Sequence, residues 1–355
     1  MGNTRRQVLA TVPALFTTTG CITTTDSSDE WELDRDRLRW RHKTDGRVSS
    51  SPVIQAGSLY VGSDDGFVRS LDSSTGSIEW QFQAGGKLIK GPATSSDTIY
   101  VGSRDDSLYA VGSRGEERWR FHTNGDITGS PTVANTSVYV GSYDGSIYAL
   151  GKETGEKRWS FQTRNRIGAS PSIKREGIYI GNGDGSFYAL DMASGKLLWK
   201  YVADGAIWTT SAILDDRVFV TSMDNHVYAL NRHDGSLQWS YETDQSINSS
   251  PRLWDDTVYF GTWLGTVYAI DSETGAVKWT ADQAHGPINC TPTIRDGTLY
   301  IGDRIGFLHA FDATTGENRW KYRTGNAVQS KPLVTDNTIY FGSNDTHVYA
   351  IERET

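Results

Sequence analysis

Only two cysteines, Cys21 and Cys290, occur in 355 residues, so no disulfide framework can hold the chain together. Methionine is scarce as well, at three. No apolar run approaches the roughly 18 residues that would span a bilayer. An excess of basic charge is also missing: 35 Lys and Arg are scattered among 43 Asp and Glu, for a formal net charge of −8. Phosphate-backbone recognition needs clustered cations, so this balance argues against a nucleic-acid partner. What the chain does have is Gly (37), Tyr (17) and Trp (12). Aromatic side chains suit a pleated surface and Gly suits turns with positive φ. The composition predicts a soluble, mildly acidic, all-β body built from short strands and tight turns.

The first twenty residues read as an address. They contain no Asp or Glu, and Arg5 and Arg6 precede a short apolar stretch from Val8 to Phe16. A cationic start, a brief apolar stretch and a small-residue exit describe a signal peptide. Thr4-Arg5-Arg6-Gln7-Val8-Leu9 resembles the twin-arginine export signal. Thr19-Gly20-Cys21 resembles the end of a lipobox, with Thr18 where Leu is usual. Residues 1–20 are therefore expected to be a twin-arginine signal peptide, with Cys21 the lipid attachment site. The polar, small residues of 21–31 suit a flexible tether.

From residue 32 onward the chain repeats. Trp40, Trp80, Trp119, Trp159, Trp199, Trp239, Trp279 and Trp320 recur every 39 to 41 residues. Ahead of the last seven comes a segment such as AIDSETGAVKW or AFDATTGENRW, and after Trp40, Trp119, Trp159 and Trp239 comes a short segment ending in Ser-Pro, as at Ser51-Pro52 and Ser130-Pro131. Each period holds four strand-like runs, for example Ile127–Thr132, Ser137–Gly141, Ser146–Leu150 and Lys157–Gln162. Asp-Gly separates the second and third runs, as at Asp144-Gly145, which is a strong hairpin signal. Four short antiparallel strands per forty residues make one propeller blade. First, second and third strands recur eight times, whereas the only unattached fourth strand lies at the front, around Trp40. The pattern predicts one domain, residues 32–355: an eight-bladed β-propeller whose N-terminal strand completes blade eight and closes the ring, removing an exposed sheet edge.

The motif Ala-x-Asp-x-x-Thr-Gly-x-x-x-Trp resembles the tryptophan-docking repeat of PQQ-type propellers, a family that includes quinoprotein dehydrogenases and BamB-like lipoproteins. Gly112 and Gly151 stand where that motif has Asp, and Asn231 is a further departure. The resemblance implies that the eight Trp residues are structural, each packing on a neighbouring blade. It also implies a cofactor only in the enzymes, which carry insertions, adjacent paired cysteines and calcium ligands. None of these has a counterpart here, and the resemblance favours the non-catalytic, BamB-like branch. No catalytic, cofactor or metal residue is assigned. The seven His residues lack metal-ligand spacing, and His226 and His347 read as exposed turn residues. Gly181-Asn182-Gly183-Asp184-Gly185 sits in a strand–strand turn with no helix after it, so the phosphate-loop argument fails. Of the glycosylation sequons, those at Asn135 and Asn344 fall in predicted turns.

A candidate contact patch lies on the face shared by the inter-blade loops and the second-to-third-strand turns. Trp208 replaces the small residues found at Ser49, Thr128 and Gly168, and either joins that patch or fills the central channel. Trp263-Leu264 and Arg304-Ile305 replace Asp-Gly-type turns, and Met223 occupies the matching turn of blade five. Large apolar groups at turn tips mark contacts. The sequence thus reads as an exported, lipid-anchored, monomeric scaffold on the outer face of the cytoplasmic membrane, touching the membrane only through its anchor and binding a protein or peptide. A PQQ- or other cofactor-dependent oxidoreductase is the alternative.

Overall fold

The computed structural model describes residues 35–353 apart from Gln283 and His285. Arg5, Arg6 and Cys21 lie outside the described residues. The compact unit spans Asp34–Thr355. Its strands form eight separate four-stranded antiparallel sheets. Seven sheets are each built from four consecutive strands; blade one, for instance, runs Val53–Gln55, Ser58–Gly62, Phe67–Asp72 and Ile78–Gln83. The eighth joins Leu333–Val334, Thr338–Ser343 and His347–Glu352 to the N-terminal strand Leu38–Lys43. The expected eight-bladed, N-terminally closed β-propeller is the observed fold.

The second and third strands are the buried ones, reading as continuous apolar runs such as Ser137–Gly141 and Ser146–Gly151. Fourth strands alternate exposed and half-buried residues, as Lys157–Gln162 does. This is the pattern expected when only one face of a strand meets a neighbouring blade. The first strands are shorter than the sequence suggested: the ladder holds only Thr132–Ala134 in blade three, against the expected Ile127–Thr132, and only Leu333–Val334 in blade eight. Pro131 and Pro332 stand immediately ahead of these ladders and lack the N–H that a ladder needs.

Eight apolar clusters fill the spaces between blades. One contains Tyr100, Leu108 and Ala110 of blade two with Val138, Val140 and Leu150 of blade three. The closing cluster joins Trp40, Leu59, Val61 and Leu71 to Tyr340, Val348 and Ala350. Tryptophan stitches the outer rim. Trp40, Trp80, Trp119, Trp159, Trp199, Trp239 and Trp279 each donate an indole N–H to a carbonyl of the following blade, at 2.7–3.2 Å. Each also covers a glycine of that blade's third-to-fourth-strand turn. A Cβ on Gly76 would lie 2.5 Å from the Trp40 ring, and one on Gly195 would lie 2.5 Å from Trp159. These glycines have φ of +72° and +71°, so both conformation and space demand glycine there. Trp320 differs: the Arg37 guanidinium lies over its ring at 4.6 Å.

His42, in the closing strand, donates from Nδ1 to the Gly76 carbonyl at 3.1 Å, while its buried Nε2 has no partner. Burial holds its pKa below the ordinary 6.5, with the Arg69 cation and His347 adding to the effect and the Gly76 carbonyl opposing it. The folded state therefore favours neutral His42. Its contribution is complete above the ordinary histidine range and is lost as pH falls through that range toward the lower folded value. Melting temperature should drop between pH 7 and pH 5, and His42→Gln should flatten that drop. An identical pH slope in the two proteins would show that His42 does not sense the closure.

Candidate binding site at the channel mouth

At the start of each blade an apolar residue is driven into the inter-blade core: Val48, Leu88, Ile127, Ile167, Ile207, Ile247, Ile288 and Val328 are all buried. The residue after each faces the opposite way, into the central channel. Ser49, Ile89, Thr128, Gly168, Trp208, Asn248, Asn289 and Gln329 thus form a ring around a cavity of about 450 Å³. Arg47, Asp64, Lys90, Tyr143, Ser250 and Asn344 complete its wall. Asn344 occupies a turn as expected, but its side chain lines this cavity with Oδ1 buried and unpartnered. Asn135 is exposed in a turn at φ 52°.

Trp208 lies inside the channel. Its ring covers two glycines of blade four: a Cβ on Gly183 would come 2.5 Å from Cη2, and one on Gly168 would come 3.0 Å from Cε3. Tyr143 stands beside it at 6.4 Å between ring centroids, and the Arg166 guanidinium lies 5.8 Å from its ring. The Gly-rich run 181–185 is therefore the seat of an indole.

Around the channel mouth most turns are held by an aspartate. Asp144 accepts the Tyr148 hydroxyl at 2.7 Å, the Ser146 N–H at 2.8 Å and the Asn124 N–H at 3.1 Å. Asp224 and Asp345 make the same set with Tyr228 and Tyr349. Burial and the adjoining carboxylate push both of those phenols well up. His226 and His347, read from sequence as exposed, are half-buried beside these tyrosines, and each places Nδ1 on the carbonyl of its turn aspartate. In blade one Arg69 takes the tyrosine's place and pairs with Asp65 at 2.8 Å.

Blades six and seven lack that aspartate. In blade six Leu264 replaces it, and Asp244 from the preceding loop accepts Tyr268 Oη at 3.2 Å instead. In blade seven Ile305 replaces it and the carboxylate moves back two residues. Asp303 Oδ1 accepts the N–H groups of Ile305, Gly306 and Phe307 at 3.0, 2.9 and 2.8 Å. Its Oδ2 meets His309 Nε2 at 2.8 Å, with both side chains fully buried. Sequence reasoning missed this pair, although Asp at 303 where the other blades carry Ser, Thr or Asn was a visible signal.

With the turns held from below, their tips are free to be apolar. Met223 is 39 % exposed, Trp263 37 %, Leu264 59 % and Ile305 46 %. The Arg304 guanidinium lies 5.0 Å from the Trp263 ring, a cation–π contact between the tips of adjacent blades. The structure brings Met223, Trp263, Leu264, Arg304 and Ile305 onto equivalent turns of blades five, six and seven. Trp208 is apart from them, in the channel.

Residues 130–355 match the family described as beta-alanine-activating enzyme, beta-propeller. The chain belongs to this family of PQQ-type β-propeller repeats. Residues 14–90 and 84–175 match the family described as outer membrane protein assembly factor BamB. No curated protein matches. Among solved structures, BamB from Moraxella catarrhalis is 20 % identical with a TM-score of 0.78, covering 89 % of this chain and 99 % of that one. The computationally designed Ika8 protein is 17 % identical with a TM-score of 0.80, over 88 % and 98 %. Quinohemoprotein alcohol dehydrogenase from Comamonas testosteroni is 17 % identical with a TM-score of 0.75, over 90 % and 77 %. These likenesses establish the fold.

The quinone and calcium used by the family's enzymes do not fit the residues here. The only carboxylate lining the cavity, Asp64, lies 3.4 Å from Lys87 Nζ. Cys290 is a buried thiol with no second cysteine among the described residues, and burial pushes it up to about 12. No cluster of three metal-ligating side chains occurs among the described residues.

Proposed function

We propose that this PQQ-type propeller is a non-catalytic scaffold that docks a protein partner on the turn face of blades five to seven. The observation that carries the reading is the run of exposed large apolar tips, Met223, Trp263, Leu264 and Ile305, on consecutive blades, with Leu264 and Ile305 standing where the other six blades carry aspartate. Exposed clusters of this kind cost solubility and give binding energy when covered. The family match to an assembly factor supports the same reading. The proposal extends to location: Arg5 and Arg6 direct twin-arginine export, and Cys21 carries the lipid that holds the protein on the outer face of the cytoplasmic membrane.

A photo-crosslinking residue at position 264 of the full chain, in its own cells, should give a discrete protein adduct. Trp263→Asp with Ile305→Asp should abolish the adduct while leaving the melting temperature of the propeller within a few degrees. An adduct indifferent to both substitutions, or none at all, removes the docking face. The anchor is read separately: Cys21→Ser should shift the protein to the soluble fraction, and persistence in salt-washed membranes would remove lipidation at Cys21.

A further inference from the structure

The far half of the channel has a different chemistry from its apolar-tipped mouth. Where the chain passes the axis, the residue after the ring position is small in seven blades: Ser50, Gly129, Ala169, Thr209, Ser249, Cys290 and Ser330. Blade two has Lys90 there, and its long side chain has no room among packed strands. It reaches the channel, where it lines both the turn-face cavity and a second cavity of about 360 Å³ beyond it. One residue further along, most blades carry a hydroxyl: Ser51, Ser130, Ser170, Thr210, Ser250 and Thr291. Blade eight has Lys331 instead, lining the same second cavity. An adjoining cavity that shares Lys331 adds Lys174 and Arg252.

No carboxylate lines either cavity. In a chain of net charge −8 this is an unusual collection. Arg69, Arg104, Arg118, Arg319 and Arg353 all find aspartates. The side chains of Lys90, Lys174, Arg252 and Lys331 form no ion pair or hydrogen bond with any described residue. Lys90 and Lys331 line the same second cavity, from blades two and eight. Surrounding protein holds both amines below the ordinary lysine range, with Arg252 adding to the effect on Lys331. Like charges gathered in a confined cavity repel one another, and an entering anion relieves that cost.

The hydroxyls complete the site. Ser170, Ser250 and Ser51 Oγ each accept a backbone N–H from a neighbouring blade, at 2.8, 3.0 and 2.9 Å. One lone pair of each is thus engaged, and its proton remains to donate. Two amines and a ring of hydroxyls around one cavity, with no carboxylate in its lining, are the complement of an oxygen anion.

We propose that the channel binds a small multivalent oxyanion between Lys90 and Lys331, on the side away from the apolar turn tips, with Arg252 and Lys174 at the rim. Phosphate-type and carboxylate-type ligands share the required chemistry. The site is independent of the partner-docking face.

The test is calorimetric titration and thermal melting of the described propeller in its full chain, with pyrophosphate and with citrate as probes. Saturable binding and a raised melting temperature are expected for at least one probe, and which one binds tells phosphate from carboxylate. Lys331→Met should weaken it at least tenfold and the Lys90→Met, Lys331→Met pair should abolish it. The exposed outer-strand change Lys157→Met should leave it intact. Trp263→Asp should also leave it intact, so loss of partner docking and loss of anion binding are separable. Without anion, the double variant should melt no lower than the parent, because two unpaired cations have been removed. No saturable binding of either probe, or equal binding by the double variant, overturns the site. Should the double variant fail to fold, phosphorus line broadening of pyrophosphate by the unaltered protein decides, and its absence overturns the proposal when citrate also fails to bind.

Discussion

A chain beginning at His42 should lose its sharp unfolding transition or aggregate, whereas one beginning at Glu30 should melt as the full chain does. The strand Leu38–Lys43 supplies the fourth strand of blade eight, pairing Leu38 with Ile351, Trp40 with Ala350 and Arg41 with Tyr349. Trp40 is buried in the cluster that joins blades eight and one, and its indole donates to the Ser73 carbonyl at 3.1 Å. Arg39 Nη1 donates to Thr338 Oγ1 at 2.6 Å. Joining segments some three hundred residues apart is entropically costly, but that cost grows only logarithmically with length. Without the strand, the His347–Glu352 edge is left open and the cluster around Trp40 loses its largest member. Open edges template pairing between chains, hence the expected aggregation. Calorimetric melts of the two chains check this; an equally sharp and equally high transition from His42 would mean that closure contributes nothing.

Asp303→Ala should destabilise the propeller by at least about 3 kcal/mol, since each buried donor left without an acceptor costs about 1–3 kcal/mol. One carboxylate oxygen holds three consecutive backbone N–H groups and the other holds His309 Nε2, at a site with no solvent access. Removing it strands four donors at once. His309 Nδ1 already lacks a partner, so the imidazole has no second acceptor to turn to. Asp303→Asn should cost less, since its amide oxygen can still accept from the turn. Denaturant unfolding of the three proteins gives the ranking, and an unchanged midpoint for Asp303→Ala would show that the turn holds itself.

The fold was legible because a propeller repeats one local solution. The forty-residue spacing of Trp40 to Trp320 and the Asp-Gly turns report blade number and strand order without any long-range knowledge. The apolar tips were legible for the same reason, since Trp263, Leu264 and Ile305 stand out against aligned neighbours. What sequence reasoning missed lies across the ring. Lys90 and Lys331 are far apart along the chain and come to line one cavity only when eight blades close around one axis. Trp208 and the two glycines beneath it form another such set, because no local rule links a bulky residue to space left in a different blade. The early part of each blade was misjudged as strand because its small and apolar residues alternate like a ladder, while they alternate between core and channel.

The antiparallel seam between Leu38–Lys43 and His347–Glu352 also fixes how the ring responds to force. Leu38 pairs with Ile351, so both strands leave the sheet at the same end. Tension between them loads the outermost rung first and then each rung in turn, a peeling geometry, whereas pulling along the strands would strain all rungs together. At that end of the seam Trp320 lies beneath the Arg37 guanidinium rather than on a glycine turn, a contact supplied by the residue just ahead of the closing strand. Mechanical opening of this molecule therefore starts at one known place, and the other seven blades, each continuous in sequence, stay whole after the circle has parted.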